Sequence, residues 1–108
     1  MNSSLLFSDK RITPENDIIE IKIWKVPKNK DFKEGIKYSL VYIHKSKRIL
    51  GYDNERGKEH HEHRYDKEKQ FRFTTWNDLI MKFKIEVNKL RDELYGNKSK
   101  KSPNGQKN

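Results

Sequence analysis

The sequence predicts an α+β domain in which an antiparallel sheet of four to five strands carries one long C-terminal amphipathic helix across one face. Three observations point there. Apolar and polar residues alternate in two segments of the first half, the apolar spacing changes to three and four from Thr75 onward, and turn-forming residues separate the segments. A chain of 108 residues suits one domain with one core. Only 31% of the residues are hydrophobic and 38% are charged, so that core has to come from a few well-patterned segments.

Residues 1–16, with Ser3, Ser4, Pro14 and Asn16, lack sustained periodicity and read as a flexible N-terminal arm ahead of a domain at 17–96. Between Asp17 and Val26, Ile19, Ile21 and Ile23 fall on one side and Glu20, Lys22 and Trp24 on the other, the period of a half-buried strand ended by Pro27. A polar stretch, 28–35, leads to a second strand at 36–44, where Ile36, Tyr38, Leu40 and Tyr42 alternate with Lys37, Ser39 and Val41. His44 to Lys47 is short enough for a hairpin turn into a third strand, Arg48 to Asp53. Residues 58–66 alternate as a fourth strand, and Phe71 and Phe73 resume the apolar pattern.

The helix is the clearest element. Trp76, Leu79, Ile80, Phe83, Val87, Leu90 and Leu94 form one stripe, Thr75 and Asp78 make a capping box, and Gly96 stands at the C-terminal end. Lys82, Glu86, Lys89 and Glu93 make a charge ladder expected on the outer face. Such a stripe is core packing against a sheet, and no chemistry is assigned to it.

The formal net charge is +9. Lys98, Lys100, Lys101 and Lys107 lie without acids in residues 97–108, expected as a disordered basic tail that adds affinity for polyanions through counterion release. The remainder is spread over the body, a moderately basic surface suited to RNA or another polyanion. There is no cysteine, which excludes disulfide and thiolate chemistry. Leu5-Leu6-Phe7 is too short for a signal peptide or a membrane span, so no membrane association is expected and the cytoplasm is the expected compartment.

Residues 52–65, YDNERGKEHHEHRY, gather three of the four histidines beside Tyr, Asp, Asn, Lys and Arg. On an extended 58–65, His61, His63 and Tyr65 share one face, and His60, Glu62 and Arg64 the other. Three readings compete. Nuclease chemistry uses one His to deprotonate a ribose 2′-OH, a second group to protonate the leaving oxygen and Lys or Arg to stabilise the phosphorane, with no cofactor required. A divalent metal site would take His61, His63 and Asp53 as ligands. The bland reading makes Asp53-Asn54 a turn former and the histidines half-exposed strand residues.

The string Tyr52-Asp53-Asn54, Gly57, His60-His61 and His63, followed by an amphipathic helix, resembles the TumE family of toxins from two-gene toxin–antitoxin modules, over about residues 17–95. The resemblance implies a toxin acting on RNA, with a cognate antitoxin as partner, and carries Tyr52, Asp53, Asn54, His61, His63 and His60 as catalytic candidates. Lys58, Arg64, Arg48, Lys47, Trp24 and Lys22 are the candidates for RNA contact, Trp24 because it stands on the polar side of its strand. The alternative is a non-enzymatic module that binds nucleic acid or a protein partner through this strand. Nucleotidyl transfer usually needs a Gly-Ser pair and spaced carboxylates, which the sequence lacks.

Overall fold

The computed structural model describes residues 3–55 and 59–96; Gly57, Lys58 and the expected tail at 97–108 lie outside the described residues. The strands are β1 (Ser4–Ile12), β2 (Ile18–Lys25), β3 (Ile36–His44), β4 (Lys47–Asp53), β5 (His61–Arg64) and β6 (Lys67–Gln70). They form one antiparallel sheet in chain order, a meander. Helix α1 (Trp76–Arg91) continues into one π-helical turn, Asp92–Gly96. The α+β class and the C-terminal helix are as the sequence predicts, with six strands in place of four to five.

The two added strands are the edges. Residues 4–12, expected within a flexible arm, pair with β2 from Ser4↔Lys25 to Ile12↔Ile18, so the sheet begins inside that segment. Most of β1 and all of β6 are exposed, and a strand without a buried face has no apolar alternation to read.

Register sorts the side chains between two faces. Ile21, Leu40, Tyr52 and Glu62 are successive cross-strand partners, and this face meets the helix. Ile21, Ile23, Tyr38, Leu40, Tyr42, Leu50 and Tyr52 are buried there against Leu79, Ile80, Phe83, Val87 and Leu90. Trp76 and Leu94 pack on the same core, which accounts for the whole predicted stripe. The opposite face carries no helix among the described residues.

Local chemistry explains the joints. The β3–β4 turn holds Lys45 at φ 50° and Ser46 at φ 66°, the two positive values of a type I′ turn, whose twist matches that of the flanking strands. In the β2–β3 loop, Asn29 Oδ1 accepts from the amides of Asp31 (2.8 Å) and Phe32 (3.0 Å), and Gly35 reverses the chain at φ +73°. Thr75 caps α1 by accepting from the amide of Asp78 at 3.0 Å. Thr75→Ala is expected to cost about 1 kcal/mol, checked by the urea unfolding midpoint; an unchanged midpoint would mean water replaces the cap without loss.

Two sequence expectations about orientation are corrected. Tyr65 leaves the strand at φ 56° and is exposed in the β5–β6 turn, so it does not share the face of His61 and His63. Glu86 turns toward the sheet, and Lys82, nearly half-exposed, leans over β5. Glu86 accepts from Arg64 Nη2 at 2.7 Å, and Lys82 lies 3.9 Å from Glu62, because both sit on the helix flank above β5.

Candidate functional site on the open sheet face

Parity along β4 and β5 assembles the site. Asp53 pairs with His61, and Gly51 with His63, so all four positions face away from the helix. His63 Nε2 lies 3.2 Å from Asp53 Oδ2. His61 Nδ1 lies 2.6 Å from Glu68 Oε2 on β6, an ion-pair distance without hydrogen-bond alignment. The two imidazoles are 6.4 Å apart, with planes 25° from parallel. Both side chains are largely covered, with 18% and 16% exposed, and His61 Nδ1 itself is buried.

Arg48 reaches the same place from the start of β4, its Nη1 4.0 Å from Asp53 Oδ2. Gly51 makes this reach feasible: a Cβ there would stand 2.9 Å from Arg48 Cδ, so the missing side chain lets the arginine stem lie along the sheet. Lys22 stands on this face of β2, 3.7 Å from Glu20, and Lys47 is exposed at the start of β4. Among the described residues no group of three or more His, Asp or Glu side chains is placed to hold a metal ion.

Other candidates go elsewhere. Tyr52 is fully buried on the helix face, edge-on to Phe71 (5.4 Å) and Phe83 (6.1 Å), and cannot converge with the histidines. Burial, with the Glu62 charge beside it, pushes its hydroxyl well above the ordinary tyrosine range. Asn54 is spent on structure: Oδ1 accepts from the Tyr38 amide at 2.9 Å and Nδ2 donates to the Ile36 carbonyl at 2.8 Å, extending the β3–β4 pairing past Asp53. His60 sits at the end of the core, stacked on Phe73 at 4.5 Å, with Nδ1 2.8 Å from the Tyr38 hydroxyl and Nε2 3.1 Å from Glu34. Phe71 and Phe73 pack on Tyr52, Tyr38 and His60.

Arg64 is drawn to the helix side, where it donates to Glu62 (3.3 Å) and Glu86 (2.7 Å). Glu62 is only 5% exposed, so this network neutralises a buried carboxylate and holds Arg64 on the helix side, away from the histidines. Glu68 and Gly51 are the residues sequence reasoning missed. Neither carries a local signal, although the parity of β4 already separates Tyr52 from Asp53.

A second polar cluster lies where α1 ends. Asp17, 1% exposed, accepts from the hydroxyls of Tyr42 and Tyr95, both at 2.8 Å, and stands 2.9 Å from His44 Nδ1. Arg91 Nη1 is 3.7 Å from Asp17, and its Nη2 donates to Glu15 at 2.7 Å. This cluster fastens the π-helical turn to the ends of β2 and β3, and it faces away from Asp53 and the β4–β5 site along the strands.

Fold and site together define a small single-sheet α+β protein whose bare face carries two histidine–carboxylate pairs and a basic surround. The family model described as Toxin TumE matches residues 2–91, and the chain belongs to that family. Membership makes it the toxin of a toxin–antitoxin module and implies a cognate antitoxin as its partner. No curated protein and no solved structure matches the chain. No helix among the described residues is long and apolar enough to cross a membrane.

Proposed function

We propose that this toxin cleaves RNA by proton transfer between the two histidines of the open face. The observation that carries the reading is the pair of imidazoles 6.4 Å apart, each beside its own carboxylate, Asp53 for His63 and Glu68 for His61. A carboxylate at one ring nitrogen sets the orientation and leaves the other nitrogen for the substrate. One imidazole takes the proton of a ribose 2′-OH, the 2′-oxygen attacks the adjacent phosphorus, and the other imidazole protonates the departing 5′-oxygen. Arg48 stabilises the charge on the phosphorane. The products are a 2′,3′-cyclic phosphate and a 5′-hydroxyl.

Tyr52, Asn54 and His60 have no part in this chemistry, since their groups are buried or engaged away from the face. The antitoxin would neutralise the toxin by covering the histidines. Purified toxin incubated with total RNA and a chelator is expected to generate new 5′-hydroxyl ends. RNA retained without new ends would favour a non-enzymatic binding module, and ends formed only with an added divalent ion would favour a metal site at His61, His63 and Asp53.

A further inference from the structure

We propose that the cavity beside Trp24 seats one unpaired base of the RNA, two or three nucleotides from the phosphate at the histidine pair. The inference rests on reading the chain as an RNA-acting protein and adds that the substrate is single-stranded there. Trp24 projects from β2 onto the same open face as His61 and His63, as its register with Lys37 and that of Lys22 with Ser39 require. Lys37 Nζ lies 5.6 Å from the centre of the indole ring. A flat aromatic surface with a cation at its side is the combination that stacks a base and meets its phosphate.

The cavity is built rather than incidental. It measures 810 Å³, within the range of small-ligand sites, and Trp24, Lys37, Val26, Pro27, Phe32 and Glu55 are among its walls. Phe32 is 7% exposed and is held by the Asn29 turn, while the Val26 amide donates to the Gly35 carbonyl at 2.9 Å and the Gly35 amide to the Phe32 carbonyl at 3.0 Å. The wall is therefore in place before a ligand arrives, which lowers the ordering cost of binding.

Distance sets the register on RNA. From Trp24 on β2 to His61 on β5 is three strand spacings across and two residues along, about 16 Å at the usual sheet dimensions. Two or three extended nucleotides span that gap. The row between them, Lys22, Ser39 and Asp53, puts a half-exposed ammonium on the path of the backbone. A duplex would keep its bases stacked inside and out of reach of the indole.

The test uses the full chain carrying Trp76→Phe, so that Trp24 is the sole tryptophan and its emission can be excited apart from that of the tyrosines, and a 2′-O-methyl RNA hexanucleotide, which this chemistry cannot cleave. Saturable quenching by the single strand, and none by its duplex, is expected. Trp24→Ala should weaken binding of a labelled hexanucleotide between about fivefold and a hundredfold, and Trp24→Phe should restore most of it. Trp24 fluorescence unmoved by the oligonucleotide, or affinity of Trp24→Ala within twofold of the parent, would overturn the subsite. His63→Ala should still be quenched: quenching without cleavage in the native toxin would sink the catalytic reading alone, and cleavage with silent Trp24 would sink the subsite alone.

Discussion

Replacing His63 with alanine is expected to abolish growth inhibition while leaving folding stability near that of the native chain. The side chain lies on the open face, its ion-pair partner is Asp53 at 3.2 Å, and it belongs to no part of the buried core. Removing a general acid or base usually costs 10²- to 10⁴-fold in rate. The same loss is expected for His61→Ala, with Asp53→Asn intermediate because it disturbs orientation and leaves both imidazoles.

Tyr52→Phe supplies the contrast. It removes a buried hydroxyl on the helix side of the sheet beside Glu62, remote from both imidazoles, so toxicity should survive, although the family-like motif places Tyr52 beside Asp53 in sequence. Growth inhibition on induction and thermal melting of each purified variant would be compared. Full toxicity in both histidine variants would reduce the His61–His63 pair to a fold element and end the nuclease proposal.

Asp17→Ala is expected to produce the largest loss of stability of any single polar substitution, about 3 kcal/mol or more. One carboxylate, 1% exposed, is the acceptor for two tyrosine hydroxyls and stands against His44 and Arg91. Its loss leaves the hydroxyl of Tyr42, whose ring is fully buried, without an acceptor and with only the long 3.5 Å bond from Arg91 Nη1, and unfastens Tyr95 and the end of the helix.

The pH dependence follows from the same contacts. Burial by itself pushes the Asp17 carboxyl up, but the hydrogen bonds from His44, Tyr42 and Tyr95 together outweigh it and hold the group below its ordinary 3.8. A carboxyl whose folded value is depressed contributes stability that is complete above the ordinary value and is lost as pH falls through the folded value. Glu15, lowered by its bond from Arg91, shares that acid window. Glu86 shares it as well, since burial raises it and the bond from Arg64 more than reverses this. Urea midpoints should therefore fall with pH below about 4 in the native chain and fall less steeply in Asp17→Ala. Equal slopes in the two proteins would show that Asp17 is not a source of the acid sensitivity.

The sequence by itself determined the elements with one buried face. Ile21 and Ile23, the Tyr38–Leu40–Tyr42 series and the helical stripe from Trp76 to Leu94 each carry a period that only a core on one side explains. It also placed His61 and His63 together, since residues two apart on a strand share a face whatever the strand pairs with. Edge strands escaped it because β1 and β6 bury little, and solvent imposes no period.

Tertiary structure alone decided the partners. Register across β4, β5 and β6 gave His63 its Asp53 and brought Glu68 to His61, while parity sent Tyr52 into the core. Asn54 looked like chemistry in the string, yet both ends of its amide complete the backbone pairing of β3. Asp17 and Tyr95, 78 residues apart, meet because the helix packs back across the sheet. Side-chain periodicity is a local property of the backbone, whereas pairing depends on which segments the whole fold sets side by side, and a linear pattern carries no record of that choice.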